Sequence, residues 1–106
     1  MPLWEDEKLE FEVRNLAFDD RTRLQLPSSS KGVLVSTTTP AGWAELAGLL
    51  GDDLVVAAGG QEITSVEELH RSRDEAVKAA KRWWVLKVER RGKALFVEIN
   101  LKPAYK

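Results

Sequence analysis

One segment of the sequence, between residues 65 and 81, has the pattern of a long helix. Ser65 is a good N-terminal cap, and Glu68 three residues later completes a capping box, so we expect a helix from Val66 to about Lys81. Apolar side chains recur along this segment at helical spacing, at Val66, Leu69, Ala76, Val77 and Ala80. One stripe of the helix is therefore expected to face a core.

The other apolar segments are short. Alternation, β-branched residues and continuous apolar runs predict six strands, at 9–13, 32–38, 54–58, 61–63, 84–89 and 94–99. The segment 44–48 predicts a brief helix that ends at a glycine, and 17–24 has the composition of a short helical turn. Strands interspersed with one short and one long helix predict an α+β fold. Among the side chains expected in its core are Leu34, Leu49, Val55, Leu69, Val88 and Val97.

Composition narrows the classes of partner. A chain of 106 residues has the length of one domain. The formal net charge is −1, from 16 basic and 17 acidic residues, so no overall field attracts phosphates, and we expect no nucleic-acid partner. No apolar run approaches the roughly 20 residues of a membrane-spanning helix, so we expect no membrane insertion. The absence of cysteine excludes disulfides and thiolate chemistry.

No group of residues has the makeup of an active site. His70 is the only histidine, and no nucleophile or orienting carboxylate is evident as its partner. The serines at 28–30 are typical of a loop, and the aspartate pairs at 19–20 and 52–53 lack the spacing of a calcium loop. We therefore expect a non-catalytic domain with no catalytic residue, no cofactor and no metal ligand.

Five fragments, in order along the chain, resemble one family. GVLV at 32–35 is similar to the GVxV start of a strand in the PDZ domains of bacterial trypsin-like envelope serine proteases, the HtrA/Deg-like family. PAGWAELAGL at 40–49 resembles the PxSPAxxAGL segment of those domains, and SVEEL at 65–69 resembles their SxxxL helix start. DLV at 53–55 with GGQEI at 59–63 is similar to GDxI…NGxxV, and ERRGK at 89–93 resembles their closing RxGK hairpin.

This resemblance implies a PDZ-like fold, a partly open β-barrel or sandwich of five or six strands capped by one long and one short helix. Residues 1–106 would form a single domain, with 1–8 as an N-terminal arm and 102–106 as a C-terminal tail. The implied function is peptide binding, with a peptide or protein C-terminus as the partner and a protease domain in the same chain as a further one. The implied location is the periplasm or the cell envelope.

The resemblance also places a binding site. A ligand peptide would add as a strand beside residues 10–15, and a loop that matches the family's glycine-containing carboxylate loop would hold its end. The helix residues Val66, His70 and Arg73, at positions i, i+4 and i+7, would line the other side. The expected peptide-binding residues are Lys8, Leu9, Glu10, Phe11, Glu12, Val13, Val66, His70 and Arg73.

Two of these residues keep an alternative open. Glu10 stands where the family has a glycine, which brings a negative charge near the position of a ligand carboxylate, and Arg73 stands where the family often has an apolar residue. The alternative is a structural module that packs through its tryptophans against a protease domain or another subunit. One of Trp83 and Trp84 must face away from the core in a regular strand, and Trp43 is also expected to be partly exposed.

Overall fold

A computed structural model describes residues 3–103 and residue 105 of the chain. Residues 1 and 2 of the predicted arm and residues 104 and 106 of the predicted tail lie outside the described residues. Ten elements follow one another: β1 (Leu3–Asp6), β2 (Phe11–Asn15), α1 (Phe18–Arg23), β3 (Val33–Thr38), α2 (Trp43–Leu46), β4 (Leu54–Ala58), β5 (Gln61–Glu62), α3 (Val66–Lys78), β6 (Trp83–Arg90) and β7 (Lys93–Asn100).

The strands form one open antiparallel sheet in the order β1-β2-β3-β4-β6-β7, with β5 paired to β4. The α+β architecture predicted from the sequence is confirmed. The described residues form seven strands, whereas the sequence predicted five or six, because Leu3–Asp6 of the predicted arm pairs with β2 as an additional strand. The segment with the composition of a helical turn forms α1.

The core lies between the sheet and α3. All six side chains expected there are buried: Leu34, Leu49, Val55, Leu69, Val88 and Val97. Trp84 is also buried, whereas Trp83 beside it is 47% exposed, as the alternation along β6 requires. Trp43 is partly buried against the core.

Helix α3 begins where the sequence predicts. The Oγ of Ser65 accepts a hydrogen bond from the N–H of Glu68 at 3.2 Å. The Glu68 carboxylate accepts from the N–H of Thr64 at 2.7 Å, one residue before the cap. The helix ends at Lys78, three residues earlier than expected, because Ala80 turns left-handed with φ +55°. Ala80 was expected on the buried face and is instead exposed.

Helix α1 is fixed to β2 by a buried carboxylate. Arg14 of β2 forms two hydrogen bonds to Asp20, at 2.5 and 2.6 Å, and the N–H of Ala17 donates to the same carboxylate at 2.9 Å. The hydrogen bonds from Arg14 lower the pKa of Asp20 to about 2. Among residues 3–103 and 105, no helix is long and apolar enough to cross a membrane.

Candidate functional site

The predicted groove lies between β2 and α3, and β1 occupies it. Strand β1 runs antiparallel to β2, with Leu3 opposite Arg14 and Asp6 opposite Phe11. The other side of β1 contacts α3. Leu3 and Glu5 are exposed, whereas Trp4 is half-buried and Asp6 is buried, so alternate side chains of β1 face the groove.

Trp4 lies between the strand and the helix. Its ring stacks on that of His70, with centroids 4.7 Å apart and planes 21° from parallel. It meets Phe11 edge-on at 5.5 Å. The guanidinium of Arg73 lies 5.0 Å from the indole centroid, within the range of a cation–π contact. The groove thus holds an aromatic side chain by three contacts from β2 and α3.

Asp6 accepts hydrogen bonds from the N–H groups of the predicted carboxylate-binding loop. Its Oδ1 accepts hydrogen bonds from the N–H of Lys8 at 3.0 Å and of Leu9 at 2.9 Å. Its main-chain oxygen accepts from the N–H of Glu10 at 2.7 Å. The loop is held in turn by α2, since the N–H of Ala44 donates to the oxygen of Leu9 at 3.0 Å. Successive loop N–H groups therefore converge on one acidic residue, as in an anion nest.

The second oxygen of Asp6 carries an ion pair. Nη1 of Arg73 lies 2.5 Å from Oδ2, and the Tyr105 hydroxyl donates to the same oxygen at 2.6 Å. The Asp6 side chain is 1% exposed and that of Arg73 is 14% exposed. Burial alone would lower the pKa of Arg73, but its hydrogen bond to Asp74 and the charge of Asp6 raise it. Burial, together with the hydrogen bond to Asp6, raises the pKa of Tyr105.

Glu10 has a backbone conformation that favours glycine. Its φ is +65°, in the left-handed region that glycine reaches without strain. Its side chain lies against Gly42, where an added Cβ would stand 2.8 Å from the Glu10 Cβ. The sequence placed the negative charge of Glu10 near the loop that would hold a ligand carboxylate. In the structure Asp6 accepts hydrogen bonds from the loop N–H groups of Lys8, Leu9 and Glu10 itself.

The other predicted site residues divide into three groups: side chains at the groove, side chains in the core, and Glu12, whose side chain bonds to β3. Phe11, His70 and Arg73 present side chains to the groove, and Nζ of Lys8 lies 5.0 Å from the Tyr105 ring centroid. Leu9, Val13 and Val66 are buried in the core. The Glu12 carboxylate accepts from Ser36 at 2.7 Å, and the Val66 N–H donates to Asn15 at 2.9 Å.

Three residues of the site were absent from the sequence prediction: Trp4, Asp6 and Tyr105. Residues 3–6 are two apolar residues followed by two acidic ones, without the period-two alternation that predicts a strand. An aspartate followed by a polar turn was the available clue, since an Asp side chain often accepts the N–H two residues later.

No family model and no curated protein matches the sequence. Solved structures do match. The chain is similar to the PDZ domain of HtrA3 bound to a phage-derived ligand, FGRWV, with a TM-score of 0.66 and 20% identity over 93% of this chain and 86% of that one. It is also similar to the PDZ domain of EpsC from Vibrio cholerae, with a TM-score of 0.61 and 20% identity over 91% of this chain and 99% of that one. The chain therefore has a PDZ fold, and the resemblance predicted from the sequence is confirmed at the level of the fold.

Proposed function

We propose that this protein is a peptide-binding module that receives an extended peptide as an added strand beside β2. The observation that carries the proposal is β1 itself. It lies between β2 and α3, pairs its main chain with β2, and places alternate side chains against Phe11, His70 and Arg73. Strand addition of this kind derives affinity from main-chain hydrogen bonds and specificity from side-chain pockets.

The similarity to HtrA3, whose PDZ domain is bound to a phage-derived ligand, supports the proposal. The parent protein we propose is a bacterial serine protease of the envelope, with this chain as its accessory domain in the periplasm or cell envelope. That part of the proposal rests on the motifs at 32–35, 40–49 and 65–69, and a protease domain is the partner it implies.

A structural module is the second candidate. The occupied groove favours it, since β1 already covers the edge of β2. Two exposed aromatic side chains on the β6–β7 hairpin, Trp83 at 47% and Phe96 at 70%, also favour it as a surface for another domain or subunit. In this alternative β1 is a permanent part of the sheet and the groove binds nothing else.

Titration with a library of free-carboxylate peptides, followed by amide NMR, tests the proposal. We expect shifts at the amides of Phe11 and His70, on the two sides of the groove, and none at Phe96 as an internal control. Because Arg73 lies in the groove, acidic peptides should bind best, and raising the salt should weaken them. Shifts confined to the β6–β7 hairpin, or none at millimolar peptide even in a chain whose β1 has been released from the groove, would favour the structural module.

A further inference from the structure

Strand β1 has the contacts of a bound peptide rather than those of a core element. None of its four residues belongs to the buried apolar core, and Trp4 is only partly buried against it. It pairs with a single strand, so its removal leaves the order β2-β3-β4-β6-β7 unbroken. Glu5 lies directly opposite Glu12 in the pairing, and like charges in facing positions weaken an antiparallel pair.

We propose that β1 is an internal ligand of the groove, and that peptides displace it if they carry an aromatic side chain two residues before a carboxylate. This inference rests on the proposed function and specifies both its ligand and its regulation. Residues two apart on a strand share a face, so one extended peptide fills both subsites at once.

The contacts of Trp4 and Asp6 define the two subsites. An aromatic ring fits between Phe11 and His70, as the Trp4 indole does. A carboxylate fits the N–H groups of Lys8 and Leu9 and the guanidinium of Arg73. That carboxylate is either a side chain, as in Asp6, or a peptide C-terminus, and free-acid and amidated peptides separate these two sources.

The short connection between β1 and β2 makes the internal ligand a strong competitor. Four residues, 7–10, join the two strands. A short flexible link gives an effective concentration on the order of 1 mM. If the β1 sequence has an intrinsic Kd of about 10 μM for the open groove, a competing peptide binds about 100-fold more weakly while β1 is docked. Weakening β1 should therefore strengthen binding of added peptides.

The test uses a peptide of residues 3–8, acetylated and amidated, with the wild-type chain and matched variants. Trp4→Ala removes the anchor of β1 but keeps the groove, and we expect it to bind the peptide roughly 10- to 100-fold more tightly than wild type. Trp83→Ala, on the remote β6, should bind as wild type does. Peptides with alanine in place of the tryptophan, or asparagine in place of the aspartate, should each bind at least about tenfold more weakly to Trp4→Ala. A peptide of residues 3–6 with a free C-terminal carboxylate should bind Trp4→Ala at least as tightly as the amidated peptide of the same residues, if the loop also accepts a C-terminus.

A reversible lock keeps the inference testable if Trp4→Ala folds poorly. Glu5→Cys with Glu12→Cys places two cysteines directly opposite each other in a chain that has no others. Facing Cα atoms of antiparallel strands lie about 4.5–5.5 Å apart, within the range that a disulfide accepts. The oxidised protein should not bind the peptide in the groove, and reduction should restore binding.

The outcomes separate the two proposals. Equal affinity of the peptide for wild type and Trp4→Ala, or for the oxidised and reduced lock, would overturn the internal ligand and leave peptide binding intact. If no peptide shifts the amide NMR signals of Phe11 or His70 in folded Trp4→Ala and in the reduced lock, the proposed function is overturned as well. Tighter binding to Trp83→Ala, to the same extent as to Trp4→Ala, would also contradict the inference.

Discussion

Replacing Arg73 with methionine should release β1 from the groove. The substitution keeps an apolar stem of similar length and removes the charge that lies 2.5 Å from Oδ2 of Asp6. Asp6 would then be a buried carboxylate, 1% exposed, held by Tyr105 and two loop N–H groups alone. Breaking a buried pair of this kind in a rigid site costs about 3–5 kcal/mol.

The expected loss of stability is smaller here, because β1 can detach from the groove and expose the Asp6 carboxylate to water. Once the penalty exceeds the free energy that docks β1, the strand leaves and Asp6 is solvated while the core stays folded. We therefore expect Arg73→Met to lower the free energy of unfolding by about 2 kcal/mol, or roughly 10 °C in Tm for a domain of this size. Urea unfolding gives the global value, and hydrogen exchange of the β2 amides reports whether β1 has left.

Two controls accompany this prediction. Arg23→Met breaks a bidentate pair with Asp52 in which both side chains are about half exposed, and a longer contact to Asp20 at 3.6 Å, so it should cost at most about 1 kcal/mol. Arg73→Met combined with Asp6→Leu removes both buried charges and should recover most of the loss. No loss on Arg73→Met, or a loss of 3–5 kcal/mol with β1 still protected from exchange, would refute the reasoning.

Three further outcomes are expected. The pKa of Asp20 is lowered to about 2, so its ion pair with Arg14 stabilises the fold fully at pH values above the ordinary pKa of aspartate. This stability is lost as the pH falls toward 2. Urea unfolding should show a loss of about 2 kcal/mol in the free energy of unfolding between pH 5 and pH 2, and this loss should be absent in Asp20→Asn. Gly32→Ala should destabilise by roughly 1–3 kcal/mol in the same assay, since φ is +147° and the new Cβ would lie 2.6 Å from the Val55 oxygen. Glu10→Gly should raise Tm by relieving a left-handed strain of roughly 1 kcal/mol, whereas Glu10→Ala should not.

Much of the scaffold could be predicted because its signals are local. The cap at Ser65 and the helical spacing that follows it determine where α3 begins. The apolar and β-branched residues at 32–38 and 54–58 favour strands from their local sequence alone. The end of α3 was harder, since Ala80 turns left-handed without the glycine that usually marks such a turn. Sequence preference at a helix end is weak, and packing decides it.

The occupant of the groove could not be predicted, because its contacts are distant in sequence. Asp6 is held by Arg73, 67 residues later, and by Tyr105, 99 residues later. Two apolar residues followed by two acidic ones have little strand preference of their own, so β1 forms only because β2 and α3 already provide a groove. His70 and Arg73 were predicted to line a binding groove, and the residues that meet them there are the chain's own Trp4 and Asp6.

Intermolecular NOEs between the peptide of residues 3–8 and isotope-labelled Trp4→Ala test the central claim most directly. We expect the tryptophan of the peptide to contact His70 and its backbone to contact β2, in the register that β1 occupies in the wild-type chain. NOEs from the peptide to Trp83 or Phe96, with none to β2, would contradict the claim that this PDZ fold binds peptides between β2 and α3.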